Sequence, residues 1–261
     1  MALEKLRDET ARVIANSRVS DRLYVLELES PQIASAIQPG QFVHLLVPGM
    51  PDKLLRRPFS VYKADAAAGT FSILYQVVGA GTEVLASVAS GAETSVIGPI
   101  GNTWTPPDTG NVLLVGGGVG AAPLFMLAAS AASVDRRVTV VLGAQTKDAL
   151  VTLDDYHALP NVDVVPATDD GSFGFAGFCT SPAQEAIDSG GFAWVACCGP
   201  EPLMRIVSGI ALEAGLPVQV SLERRMACGV GACLSCVVDT VEGKKRCCVD
   251  GPIFNADEVV W

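Results

Sequence analysis

At 261 residues, about half of them apolar, the chain is long enough for two domains and a small appendage. A formal net charge of −10 argues against nucleic acid or an anionic membrane surface as the main partner. The N-terminus, Met1-Ala-Leu-Glu-Lys-Leu-Arg7, is charged from the start and has no apolar secretory core. The eight cysteines are therefore expected in a reducing cytoplasm, as ligands or buried thiols rather than disulfides.

From about residue 9 to 105 the chain reads as short strands. Ala11–Asn16, Leu23–Leu28, Gln41–Val47, Pro58–Tyr62 and Thr70–Gln76 are rich in β-branched and aromatic residues, with Pro39-Gly40, Pro48-Gly49 and Gly69 as punctuation. Strands so spaced predict an antiparallel barrel or sandwich. Gly81–Val88 reads as a short helix, Gly98–Gly101 as a turn and Thr105–Gly110 as a linker, where prolines interrupt the strand pattern. Arg56-Arg57-Pro58-Phe59-Ser60 lies on one of these strands. An arginine fork suits a phosphate, and a solvated surface pair is the alternative.

From residue 111 the period changes. Val112–Val115, Ala121–Ala132, Arg137–Leu142, an acidic turn at Asp154–Leu159, Val162–Pro166, Ser181–Asp188, Ala193–Cys197, Glu201–Ala214 and Val218–Leu222 alternate strand and helix, predicting a parallel sheet with right-handed crossovers. No charge occurs from Thr109 to Val134, yet a glycine turn splits that stretch into two buried elements rather than a membrane span. Gly116-Gly117-Gly118-Val-Gly120 follows a strand and opens a helix, an arrangement that lets backbone approach a pyrophosphate or merely permits close packing. The second strand ends in Leu142-Gly143-Ala144 without the carboxylate of an ordinary Rossmann dehydrogenase, so any nicotinamide nucleotide must be held differently. Cys198-Gly199-Pro200 also ends a strand at the carboxyl edge of the sheet, as a ligand contact or as part of a buried thiol pair. His44 and His157 have no spacing partners and are expected to be structural or surface residues.

The last part of the chain is dominated by cysteine. Cys228, Cys233 and Cys236 form a C-x4-C-x2-C run, with Cys247 and Cys248 a short strand later, the spacing of a plant-type 2Fe–2S centre. Gly229 and Gly231 let the backbone curl so that N–H groups can face sulfur. A structural zinc site would use the same residues. Arg224-Arg225 and Lys244-Lys245-Arg246 flank the thiols, and could offset thiolate charge, dock an acidic partner or form a solvated hairpin.

Taken in order along nearly the whole chain, these motifs resemble the ferredoxin–NADP reductase superfamily. Arg57-Pro58-Phe59-Ser60 looks like its barrel motif, Leu74-Tyr75-Gln76 and Gly81-Thr82 like its flavin and phosphate segments, and Gly116–Gly120 with Cys198-Gly199-Pro200 like its nicotinamide-nucleotide motifs. The cysteine segment, with Cys248-Val-Asp-Gly-Pro-Ile-Phe254, is similar to that of the electron-transfer subunits of NAD-dependent (class 1B) dihydroorotate dehydrogenases. That resemblance implies an FAD-binding β-barrel over 1–106, an NAD-binding α/β domain over 107–221 and a 2Fe–2S segment over 222–261. It implies Cys228, Cys233, Cys236 and Cys248 as cluster ligands. Cys247 stands where the family more often has an apolar residue, and adjacent strand residues face opposite ways. It further implies an FMN-containing catalytic subunit as partner, two copies of each chain, with electrons passing singly through the cluster to FAD and as hydride to NAD+. Subunits of sulfide dehydrogenases or bifurcating ferredoxin–NADP reductases share these parts, and a zinc-stabilised nucleotide-binding module without redox activity is the alternative of another class.

Overall fold

The β-branched stretches of the N-terminal hundred residues pair as antiparallel strands in a computed structural model, which describes residues 6–50, 52–132 and 136–261. Residues 1–5, where the charged N-terminus begins, lie outside the described residues. The elements are β1 (Arg7–Ser20), β2 (Leu23–Glu29), α1 (Pro31–Ala36), β3 (Phe42–Leu45), β4 (Arg57–Ser60), β5 (Lys63–Asp65), β6 (Thr70–Gln76), α2 (Ala80–Ala86) and β7 (Glu93–Ile100). They make a seven-stranded sheet in the order β4-β3-β7-β1-β2-β6-β5. Its registers bring Leu26 opposite Ile73 and Leu28 opposite Phe71, and these apolar side chains are fully buried. Gly98–Gly101, read from sequence as a turn, is mostly the end of β7. Gly98 pairs with Arg7, and the Gly98–Pro99 peptide is cis. The turn residues do not stop the strand because β1 and β3 supply ladder partners on both sides.

Asn16 ties this sheet together. Its amide nitrogen donates to the carbonyls of Leu85 (2.7 Å) and Val88 (3.1 Å) at the end of α2, while its oxygen accepts from the Tyr75 hydroxyl at 3.0 Å. The Tyr75 ring stacks on Tyr24 at 5.6 Å and meets Phe59 edge-on at 5.9 Å, and burial pushes its hydroxyl up to about 12. Asn16→Ala takes a partner from the Tyr75 hydroxyl and from the Val88 carbonyl at once, while the Leu85 carbonyl keeps the Val88 N–H at 3.1 Å. It should lower the unfolding free energy by about 1–3 kcal/mol, measurable as a lower urea midpoint at unchanged slope.

The second pattern gives β8 (Asn111–Gly117), α3 (Ala122–Ala132), β9 (Val138–Ala144), α4 (Leu153–His157), β10 (Val162–Thr168), β11 (Phe175–Ala176), α5 (Thr180–Ser189), β12 (Phe192–Cys198), α6 (Glu201–Glu213) and β13 (Val218–Ser221). After the cysteines come β14 (Val237–Thr240) and β15 (Gly243–Arg246), a two-stranded sheet, and β16 (Ile253–Asn255). The sheet order is β11-β10-β9-β8-β12-β13-β16. All its pairings are parallel except the last, in which β16 runs antiparallel to β13 with Val220 opposite Phe254. The sheet expected to be parallel is thus mixed, closed on one edge by the C-terminal strand. Asp154–Leu159, expected as a turn, is largely the helix α4. Its Tyr156 is completely buried against Phe125, so the acidic residues ride on the outside of a packed helical turn.

The uncharged stretch divides into β8 and α3 as expected, apart from residues 133 and 134, which lie outside the described residues. Among the described residues no helix is long and apolar enough to cross a membrane. The chain forms two compact units. One comprises Met1–Thr103, Glu223–Val238 and Lys244–Pro252; the other comprises Trp104–Leu222, Asp239–Gly243 and Ile253–Trp261.

Candidate functional site

The cysteine loop takes its shape from three residues with left-handed backbone, Gly229 (φ 68°), Gly231 (φ 84°) and Leu234 (φ 60°). Glycine is required at the first two for space as well as for dihedral. A Cβ on Gly229 would lie 2.6 Å from His44 Nδ1, and one on Gly231 would lie 2.5 Å from Val249 Cγ2. The curl aims backbone N–H groups at sulfur: Val230 and Cys233 donate to Cys228 Sγ at 3.5 and 3.4 Å.

The thiols gather as two pairs. Ser235 and Cys228 hydrogen-bond to the Cys233 side chain and lower its thiol to about 6. Cys236 Sγ and Cys248 Sγ lie 3.4 Å apart, and burial, with Cys236 beside it, pushes Cys248 up to about 12. Cys247 is also buried and pushed up to about 12, chiefly by desolvation. Its N–H donates to the Cys236 carbonyl at 3.0 Å. Among the described residues no three His, Cys, Asp or Glu side chains converge on one point that could hold a metal ion. Four thiols at this spacing, with Cys236 and Cys248 already in contact, are a donor set that fits a 2Fe–2S cluster.

The loop is anchored at both ends within its own unit. Arg246 donates from its backbone (2.8 Å) and guanidinium (3.1 Å) to Asp250 Oδ2, and from Nη1 to the Gly231 carbonyl at 3.3 Å. Arg246, one of the five flanking cations, therefore braces the hairpin. Asn102 donates to the carbonyls of Gly251 (2.7 Å) and Asp250 (3.2 Å), and Gly101 (φ 89°) has no room for a Cβ against Pro252 Cδ.

In the same unit, the two arginines of the strand motif part company. Arg56 donates to the Ser95 carbonyl and hydroxyl, both at 2.7 Å, and lies 3.7 Å from Asp8. Arg57 donates to the Leu55 carbonyl and lies along the start of α2, where a Cβ on Gly81 would sit 3.2 Å from its Nε. Thr82 Oγ1 caps that start by accepting from Val78 (2.9 Å) and Gly79 (3.2 Å). Pro58, Phe59 and Ser60 pair with His44, Val43 and Phe42. Leu74 and Tyr75 are buried in β6 and Gln76 is exposed. The fold thus brings Arg57 to Gly81-Thr82, leaving a glycine-lined cradle beside a guanidinium, which fits the phosphates of a flavin dinucleotide.

In the α/β unit, β8 and β12 are neighbours, and Cys198 is in register with Gly116. From β8 the chain steps outward through β9 to β10 and returns on the other side at β12, so the carboxyl ends of β8 and β12 form a topological switch point. The two glycine turns meet there backbone on backbone. A Cβ on Gly120 would lie 2.5 Å from the Cys198 carbonyl oxygen and 2.6 Å from Gly199 Cα. One on Gly117 would lie 2.5 Å from Leu203 Cδ2 and 3.2 Å from Pro200 Cδ, whereas around Gly118 (φ 56°) there is open space. The Cys198 thiol is buried and points to the Ser221 carbonyl at 3.9 Å, so backbone rather than sulfur borders the turn. Tyr156 donates to the Ala121 carbonyl at 2.6 Å and so fixes the entry to α3. The acidic sequence around it hid this clamp. Asp169 and Asp170 donate backbone N–H groups to Ala144 (3.0 Å) and Gln145 (3.2 Å), which sets two carboxylates beside the end of β9, the strand that lacks its own.

Comparison with known proteins gives a consistent result. The family model for the iron–sulfur cluster binding domain of dihydroorotate dehydrogenase B matches residues 223–260, and that for the oxidoreductase FAD-binding domain matches residues 10–104. The chain is 40% identical over 256 residues to the dihydroorotate dehydrogenase B (NAD(+)) electron transfer subunit of Desulforamulus reducens, covering 96% of this chain and 97% of that protein. It is 38% identical to the subunit of the same name from Geobacillus thermodenitrificans, covering 97% and 98%. Among solved structures it is similar to a chain of an NADH-dependent reduced ferredoxin–NADP oxidoreductase studied for flavin-based electron bifurcation. The TM-score is 0.89 and the identity 31%, over 97% of this chain and 90% of that one.

Proposed function

The chain belongs to the family of dihydroorotate dehydrogenase B electron transfer subunits, and from that premise we propose how its own residues divide the work. Its function is to pass electrons from a dihydroorotate-oxidising catalytic subunit to NAD+, within pyrimidine biosynthesis. When bound, the 2Fe–2S cluster moves electrons singly, FAD converts between one- and two-electron transfer, and NAD+ accepts the hydride.

Cys228, Cys233, Cys236 and Cys248 would hold the cluster; the 3.4 Å approach of the Cys236 and Cys248 sulfurs, inside the segment that matches the iron–sulfur cluster binding domain, is the observation that carries this assignment. Arg57 and Ser60, with Pro58 and Phe59 setting the strand, would hold FAD together with Gly81 and Thr82, and Leu74, Tyr75 and Gln76 of β6 would complete the flavin site. Gly116, Gly117, Gly118 and Gly120 accept the nucleotide phosphates against Cys198-Gly199-Pro200. Functionally, residues 1–106 serve FAD, 107–221 serve NAD and 222–261 serve the cluster. Asp169 and Asp170 favour NAD+ by repelling a 2′-phosphate near the end of β9. The protein works in a reducing cytoplasm, where cysteines serve as cluster ligands, and the assembly is two copies of each subunit.

The deciding experiment is purification from its native host with associated proteins, followed by iron, sulfide and flavin analysis. Co-purification with an FMN protein that reduces NAD+ at the expense of dihydroorotate is expected. The structural likeness to the bifurcating oxidoreductase chain carries the second reading. A large flavoprotein partner with ferredoxin-dependent turnover and no dihydroorotate activity would favour that reading instead. A colourless, zinc-containing preparation would reject both.

A further inference from the structure

His44 lies on β3, whose neighbour β4 carries Arg57–Ser60, and its ring reaches the cysteine loop. It is wholly buried, and among the described residues neither ring nitrogen has a hydrogen-bond partner. A Cβ on Gly229 would lie 2.6 Å from Nδ1 and 3.3 Å from Cε1, so the nitrogen-bearing edge faces the backbone immediately after Cys228. In either protonation state the imidazole carries at least one N–H.

A buried N–H without an acceptor is costly, and native structures keep very few of them. The neighbours on the strand side offer nothing. Arg56 and Arg57 are donors, and Pro58 and Ile97, its strand partners, have no acceptor in their side chains. On the loop side the Cys228 backbone lies near the ring without completing a hydrogen bond, and the acceptors that can complete one are sulfurs, once Cys228 is a thiolate bound to iron.

We propose that His44 is a positioning residue of the electron path, whose ring N–H donates to a sulfur of the 2Fe–2S centre at its Cys228 end and draws charge from it. Hydrogen bonds to cluster sulfurs raise the reduction potential, so His44 makes the centre a better acceptor. The proposal rests on the 2Fe–2S reading of the loop, and it explains why a residue on the flavin-side sheet reaches the loop at Gly229. No side chain at 229 can come between the ring and the cluster ligand.

The chain has only two histidines, His44 and His157, which makes a selective test practical. The holo complex, carrying His157→Gln and grown with ring-15N histidine, is reduced and measured by pulsed electron paramagnetic resonance. A weak 15N coupling to the reduced cluster is expected, absent in His44→Phe. In redox titration His44→Phe should have a lower cluster potential than the parent, and His44→Gln, which keeps an N–H donor, should lie nearer the parent. An intact 2Fe–2S signal without 15N coupling overturns the inference and leaves the cluster reading standing. Absence of any such signal, with no iron or sulfide present, overturns both. The coupling is read with His44 itself in place, so poor assembly of a variant does not prevent a decision.

Discussion

Cys248→Ser is expected to strip the protein of its cluster, whereas Cys247→Ser keeps it. Both thiols are buried and both are pushed up to about 12, so neither exposure nor acidity separates them. Position does. Cys248 Sγ is 3.4 Å from Cys236 Sγ, while Cys247 engages Cys236 through its backbone N–H. Losing an outer-shell partner alone weakens metal sites roughly 10- to 100-fold, and losing a ligand should exceed that. Bound iron and sulfide in Cys248→Ser should fall towards zero. Dihydroorotate-driven NAD+ reduction should drop at least about 100-fold, while NADH still reduces a dye through the flavin. The reverse pattern, with Cys247→Ser colourless and Cys248→Ser intact, would transfer the ligand role to Cys247.

The second large effect is expected from Gly120→Ala. The added methyl carbon would meet the Cys198 carbonyl oxygen at 2.5 Å, Gly199 Cα at 2.6 Å and the Cys198 carbonyl carbon at 2.7 Å. All three are backbone atoms, so no rotamer change relieves the contact, and overpacking of this kind costs about 1–3 kcal/mol. The turns at β8 and β12 must separate. A displacement of about 1 Å at a hydride-transfer site costs on the order of 100-fold in rate. Stopped-flow reduction of the flavin by NADH should slow accordingly and the melting temperature should fall. Gly118→Ala, where no neighbour lies within 4 Å, meets only its positive φ and should lose about 1–2 kcal/mol of stability without the clash. Equal NADH kinetics in Gly120→Ala and the parent protein would show that the two turns do not form the nucleotide site.

What the sequence disclosed, it disclosed through local chemistry. The strands around Leu26 and Ile73 were legible because β-branched runs sit between turn residues, and the cysteine loop because its spacing is short and glycine-rich. β7 was hidden by the breakers Gly98 and Pro99, which two flanking strands override. β16 is three residues long, and its antiparallel pairing with β13 depends on a partner more than thirty residues away. The same limit applied to single side chains. Arg56 and Arg57 look alike on paper, yet Ser95, 39 residues on, claims the first. His44 had no spacing partner because its neighbour, Gly229, is brought to it only by the fold.

The antiparallel strand β16 also bears on how this protein can be cut. Removing everything after residue 222 looks like a way to isolate the two nucleotide-binding parts from their metal centre. It would also uncover β13, leaving the backbone groups of Gln219, Val220 and Ser221 without the partners that Asn255, Phe254 and Ile253 supply. An open parallel edge with buried apolar residues is a template for association with other chains. Such a fragment should therefore aggregate rather than behave as a clean flavoprotein. Ligand substitutions within the full-length chain are the sounder way to prepare a cluster-free form.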